Sequence, residues 1–193
     1  MPRPLDLILA SLALLVVSPL LALSALLIKL ESRGPVLYRQ RRVGRAGRPF
    51  DLWKLRTMVP GAETMGAGIY VLQGDPRVTR VGRRLRRFSL DELPNLVNVV
   101  RGEMAIVGPR PTVSQQVDRY TERQRRRLEV KPGLTGWAQV NGRASLPWPE
   151  RIELDVWYVE HRSLLLDLTI LVKTARMLAS GHGLYSEDPK QGW

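Results

Sequence analysis

The chain has 193 residues, enough for one domain with a full core, and thirty Lys and Arg against eighteen Asp and Glu give it a formal net charge of +12. That balance calls for an anionic partner: nucleic acid, a phosphorylated substrate or an acidic membrane surface. The absence of cysteine excludes disulfides, thiol nucleophiles and Cys-based zinc sites, and two histidines, His161 and His182, are too few for a histidine-rich metal centre.

The first element is apolar. Leu5–Ile28 carries one charge, Asp6, and is long enough for a membrane-crossing helix, which needs about 20 apolar residues. Ser18-Pro19 sits near its middle. Proline removes a helical hydrogen bond and clashes with the preceding turn, so a break is expected there. Each half is then too short to cross: Leu5–Ser18 extends to roughly 21 Å against a hydrocarbon core of ~30 Å. Positive charge flanks both ends, with Arg3 before and Lys29 and Arg33 after, which favours keeping both on the cytoplasmic side. The expectation is a re-entrant helix-break-helix over residues 1–30. A kinked spanning helix competes with it, and a cleaved signal peptide is the weaker rival because the apolar run continues past Ala22-Leu23-Ser24.

Residues 31–193 are expected to form a membrane-associated catalytic domain, mainly α with short β elements. Val36–Arg56 reads as a hairpin turning at Gly44–Pro49, and Val59–Asp75 as a glycine-rich loop that could serve as a lid. A basic helix is expected over Val78–Arg87, a short one over Glu92–Val100, and a polar one over Thr112–Glu129. The arginines that end the last of these (Arg123, Arg125, Arg126, Arg127) read as a solvated face or as contacts to lipid headgroups. After an irregular stretch with Trp137, Trp148 and Gly142-Arg143, Ile152–Glu160 and Leu164–Ala179 read as amphipathic helices, ordinary core helices by default and otherwise suited to a membrane interface.

Residues 88–111, FSLDELPNLVNVVRGEMAIVGPRP, carry the chemistry. Adjacent carboxylates Asp91 and Glu92 lie between an arginine run (Arg83, Arg84, Arg86, Arg87) and the turn Pro109-Arg110-Pro111. Carboxylates among fixed cations suit a phosphorylated substrate: they can hold Mg²⁺ or attack phosphorus while guanidiniums neutralise the phosphoryl oxygens. The same residues also fit a helix start, with Ser89 as N-cap and Glu92 closing a capping box. Both readings stay open.

With these blocks in order, joined by SRGPVLYRQRRVGRAGRPFDLWKLRTM, VKPGLTGWAQVNGR and LDVWYVEHRSLLLDLTILVKT, the chain resembles the bacterial sugar transferase family, the monotopic polyprenyl-phosphate phosphoglycosyl transferases, from Leu5 to Met177. The resemblance implies the minimal catalytic form, with Asp91-Glu92 as the catalytic dyad. It implies transfer of a phosphosugar from a nucleoside diphosphate sugar, a UDP-sugar, to polyprenyl phosphate such as undecaprenyl phosphate, releasing UMP as the first membrane step of glycan assembly. It places the enzyme at the bacterial cytoplasmic membrane with its active site on the cytoplasmic face. In that frame Asp91 would attack the β-phosphate, Asp91 and Glu92 would engage Mg²⁺, with Glu92 alternatively a base, and Arg110, Arg87 and Arg143 would contact phosphate or nucleotide. Two departures are noted: Asn95 stands where glutamine is more usual, and the segment before Asp75 is glycine-rich. A nucleic-acid-binding role is disfavoured, since no binding module or aromatic-basic interleaving is present, and a passive anchor has no use for the dyad. The sugar and any homo-oligomeric state are left open.

Overall fold

The computed structural model describes residues 1–65, 71, 74–142 and 145–180, with the side chains of 179 and 180 excepted. Arg143, His182 and part of the glycine-rich loop therefore lie outside the described residues. The fold is mainly helical, with two small sheets.

α1 (Arg3–Glu31) is one long apolar helix with Pro19 inside it. The expected interruption of helical structure at Ser18-Pro19 is not there. Proline leaves the Leu15 carbonyl without its N–H donor, and the Ser18 hydroxyl donates to that same oxygen at 2.8 Å. The turn is thus satisfied locally, and the helix continues. One stripe of α1 packs on the rest of the protein: Asp6, Ala10, Ser24 and Ile28 are buried, with Leu14, Val17 and Leu21 packed against core clusters between them. The opposite stripe is open, with Leu15 and Val16 exposed at 72% and 77%.

Both ends of α1 are tied to the same body. Arg3 donates to the carbonyls of Val99 and Val100, and the Asp6 carboxylate accepts from the Ile106 amide. At the other end Arg56 donates to the Ser32 and Arg33 carbonyls, and Glu31 accepts from the amides of Arg80 and Val81.

The hairpin is built as its turn residues predict: β1 (Leu37–Val43) pairs antiparallel with β2 (Pro49–Leu55), from Leu37 opposite Leu55 to Val43 opposite Pro49. The buried Asn98 stitches it to α3 (Asn95–Arg101), accepting from the Trp53 amide and donating to the Asp51 carbonyl. Before α3, α2 (Arg80–Arg87) starts at Thr79, whose side chain accepts from the Gly82 amide. Glycine is required at 82, because a Cβ there would come within 2.0 Å of the Thr57 carbonyl oxygen.

A second pair was not expected. β3 (Ala105–Val107) lies parallel to β4 (Gly133–Thr135) and carries the central cluster of Val99, Met104, Val107, Tyr158 and Ile170. The single polar helix expected over Thr112–Glu129 is instead broken into α4 (Ser114–Val117), α5 (Glu122–Arg125) and a 3₁₀ turn, Arg126–Glu129. Thr121 starts α5 through a reciprocal capping box with Gln124, a strong new helix start that divides the segment. α6 (Trp137–Val140), α7 (Trp148–His161) and α8 (Leu164–Ser180) complete the chain, α8 leaving Leu164, Leu165, Leu168 and Val172 exposed.

Candidate active site

Asp91 and Glu92 do not start a capped α-helix. They sit in a 3₁₀ turn, Leu90–Glu92, entered through Ser89 at φ 54°, a left-handed conformation that costs a non-glycine residue about 1 kcal/mol or more. The Ser89 side chain makes no cap, and the Glu92 carboxylate is engaged elsewhere, so the capping box is absent. Lys54 Nζ donates to Glu92 Oε1 at 2.8 Å. The Arg110 guanidinium grips the same carboxylate as a fork, Nη2 to Oε1 at 2.5 Å and Nη1 to Oε2 at 3.3 Å. Asp91 is buried yet borders the cavity, and no described residue hydrogen-bonds its carboxylate.

These different surroundings drive the two acids apart. Burial pushes the Asp91 carboxyl above its ordinary value, and the neighbouring Glu92 adds to this against the pull of Lys54, Arg86 and Arg110. Burial would raise Glu92 too, but Arg110 and Lys54 outweigh it and hold that carboxyl well below the usual range. One carboxylate is a fixed counter-charge, and the other is unshielded and open to the cavity.

The cavity itself measures about 620 Å³. Arg42, Lys54, Arg56, Arg86, Arg110, Arg127 and Arg151 border it, against Glu63, Asp91, Glu92 and Asp155. This cationic lining suits a diphosphate. Arg110 is aimed by main chain. The Gly108 amide donates to the Thr135 carbonyl and the Gly133 amide to the Pro109 carbonyl, both at 2.9 Å. A Cβ on Gly133 would fall 2.1 Å from the Gly108 nitrogen, and one on Gly136 2.1 Å from the Gly108 oxygen. Peptide planes therefore pack directly against the Pro109-Arg110-Pro111 turn.

Of the sequence-predicted residues, Asp91, Glu92 and Arg110 come together at this cavity. Arg87 does not: it is exposed, stacks on Phe88 and lies outside the lining, whereas Arg86 borders the cavity and donates to the Thr57 hydroxyl at 2.8 Å. One helical residue is a 100° rotation, which carries Arg87 off the face that Arg86 occupies. Arg143 lies outside the described residues.

Sequence reading missed Lys54, Arg42 and the pair Arg127–Asp155. Lys54 had left a signal, since it follows Phe50 and Leu52 on the same face of β2 and is a cation on a buried stripe. Arg127, expected at a solvated or lipid-facing surface, is only 3% exposed, donates to the Asp155 carboxylate at 2.5 Å and to the Arg110 carbonyl at 2.9 Å, and bonds the Tyr120 hydroxyl. Its neighbours Arg123 and Arg126 pair at the surface with Glu153 and Glu160. Burial raises the Asp155 carboxyl to about 6 in spite of Arg127.

As a metal site the dyad offers few protein donors. Among the described residues no group of three or more His, Cys, Asp or Glu side chains is placed to hold an ion. The Asp91 carboxylate and the spare lone pair of Glu92 Oε2 are what the dyad presents. Such a set fits a magnesium ion that takes its remaining oxygens from a diphosphate and water, and fits an all-protein cage poorly.

Comparison with known proteins places the chain among sugar transferases. The family model described as "Bacterial sugar transferase" matches residues 1–181. The chain is 42% identical over 182 residues to the uncharacterized sugar transferase EpsL of Bacillus subtilis, covering 94% of this chain and 89% of that one. It is 45% identical over 192 residues to the UDP-glucose:undecaprenyl-phosphate glucose-1-phosphate transferase of Caulobacter vibrioides, covering 95% and 71%. With the UDP-N-acetylgalactosamine-undecaprenyl-phosphate N-acetylgalactosaminephosphotransferase of Aeromonas hydrophila it shares 42% identity over 187 residues, covering 94% of this chain and 44% of the longer relative.

Proposed function

The chain belongs to the bacterial sugar transferase family and is a phosphoglycosyl transferase, and from that premise we propose that it transfers a phosphosugar from a UDP-sugar to undecaprenyl phosphate through a covalent intermediate on Asp91. The observation that carries this reading is the division of labour in the dyad: Glu92 is clamped by Lys54 and Arg110, and Asp91 is left unbonded at the cavity.

An Asp91 oxygen attacks the β-phosphorus, and the bond from that phosphorus to the bridging oxygen breaks. The electron pair leaves with UMP, and an acyl phosphosugar remains on Asp91. An oxygen of the acceptor phosphate then attacks the same phosphorus, and the carboxylate departs with its electrons. No proton is needed in either displacement if the acceptor is ionised. Arg110 and its neighbours hold the phosphoryl oxygens, and Glu92 fixes Arg110 and Lys54 in place. Asp91 and Glu92 Oε2 would hold magnesium together with the donor's diphosphate, and that ion, when bound, lowers the charge on the departing nucleotide.

The test is a reaction without acceptor. Purified protein given a UDP-sugar should release at most one equivalent of UMP and gain the mass of one phosphosugar on the peptide containing Asp91. Undecaprenyl phosphate should discharge it. Turnover that proceeds with no adduct at any time would replace this scheme with direct displacement.

The membrane reading follows from α1. A span roughly 43 Å long at ~1.5 Å per residue would put its ends on opposite sides. Here both ends and an intervening stripe pack on one body, and the apolar outer stripe is exposed. We infer that α1 is seated in one leaflet with both ends on the cytoplasmic face. The chain has no cysteine, so one introduced at position 2 reports topology directly. It should resist a membrane-impermeant thiol reagent in intact cells, and labelling there would establish a span.

A further inference from the structure

We propose that Gln139, Trp148 and Asp155 form a subsite that reads the uncharged, hydrogen-bonding end of the donor, either the hydroxyls of its sugar or the imide edge of its base. The assignment rests on the transfer reaction proposed above for the identity of the ligand.

Four polar side-chain atoms of residues that border the cavity are buried without a hydrogen-bond partner: Gln139 Nε2 and Oε1, Trp148 Nε1 and Asp155 Oδ1. All three residues border the cavity. Gln139 is 6% exposed and Asp155 2%. Burying such groups unsatisfied is costly, and three residues that bring four of them to the wall of one cavity mark a place where a ligand can complete the bonding.

The chemistry of the four atoms restricts that ligand. Gln139 offers a donor and an acceptor side by side, Trp148 only donates, and the ionised Asp155 only accepts. A phosphate has acceptors alone. It would leave Gln139 Oε1 unmet and face the Asp155 charge. A group with alternating donors and acceptors answers all four atoms, and sugar hydroxyls and a uracil edge are such groups.

Position agrees. Arg127 donates to both the Arg110 carbonyl and Asp155 Oδ2, so the subsite lies one guanidinium away from the residue that grips Glu92. A diphosphate held among the arginines would leave its neutral end on the Asp155 side. The subsite is also rigid. The Trp148 ring carries the Arg127 and Arg151 guanidiniums at 5.6 Å and 5.8 Å, and Asp155 is locked through its other oxygen.

Titration calorimetry on the full chain in detergent or nanodisc, with UDP-glucose, UDP-N-acetylgalactosamine and UMP, tests this. Gln139→Met keeps volume and loses both amide functions, and Trp148→Phe keeps an aromatic ring and loses one donor. Losing one or two hydrogen bonds is worth about two- to tenfold each. Gln139→Met should weaken binding about tenfold and Trp148→Phe a few fold, each remaining folded by circular dichroism. Weakening that includes UMP assigns the subsite to the base, and weakening confined to the UDP-sugars assigns it to the sugar. Parent affinity for all three ligands in both folded variants, or no binding of any of them by the parent, overturns the proposal and leaves water as the partner of these atoms. If either variant fails to fold, the other decides. UMP release with undecaprenyl phosphate, measured on the same samples, is separate: a parent that binds but does not transfer overturns the reaction and leaves the subsite standing.

Discussion

Two acids that border one cavity, the half-buried Glu92 and the buried Asp155, respond to withdrawal from water in opposite ways. Glu92 has two cations, Lys54 and Arg110, and its carboxyl is held well below the ordinary range. Asp155 has one hydrogen-bonded cation, Arg127, and burial wins, raising it to about 6. The lesson is arithmetical. Withdrawal from water can outweigh one close cation, and a second cation reverses the balance. Asp91, with no hydrogen bond at all, lies on the Asp155 side of that line although it is the chain neighbour of Glu92.

The comparison can be broken first at Asp91, the proposed nucleophile. Asp91→Asn keeps size and removes the attacking charge, so acceptor-dependent UMP release should fall at least about 10³-fold, some 4 kcal/mol of barrier. Its circular dichroism and thermal midpoint should stay near those of the parent. A folded variant with near-normal turnover would remove Asp91 from the chemistry.

Next comes the other end. Arg127→Met strips Asp155 of its cation and the Arg110 carbonyl of a donor, and a buried charge left alone costs about 3–5 kcal/mol. Denaturant titration should register that loss. A destabilisation under about 1 kcal/mol would mean the pair contributes little beyond its own desolvation.

The smallest effect is in pH. In the proposed mechanism Asp91 must be ionised to attack, and its carboxyl is raised, so kcat/KM should fall as pH drops through a value above the ordinary 3.8. Glu92, held low, stays charged across that window. An acid limb at or below 3.8 would show that the cations outweigh burial at Asp91 as they do at Glu92.

Local signals made part of this legible in the chain. Gly44, Gly47 and Pro49 announce the hairpin turn, the basic run announces α2, and unbroken apolarity announces α1. Asp91, Glu92 and Arg110 fall within 20 residues of one another in a recognisable block. What failed to show was long-range. β3 and β4 have three residues each, too short for any period, and are joined across a 25-residue gap. Arg127 looks like its neighbours Arg125 and Arg126, and only the pairing with Asp155, 28 residues on, singles it out. The break expected at Pro19 failed for a nearer reason, because the serine that precedes it satisfies the carbonyl that proline abandons.

The glycines beneath Arg110 set a mechanical tolerance. Side chains in a core can change rotamer and shift by an ångström or so after a substitution, but peptide planes in van der Waals contact and joined by hydrogen bonds have almost no slack. Gly108, Gly133 and Gly136 mount Arg110 on planes of that kind. Its main-chain mount is therefore less sensitive to repacking among Val99, Met104 and Ile170 of the core cluster. The hydrophobic interior is free to drift in sequence while the charge at the cavity wall keeps its bearing, and a single methyl group at 133 would disturb that bearing more than several changes in the core.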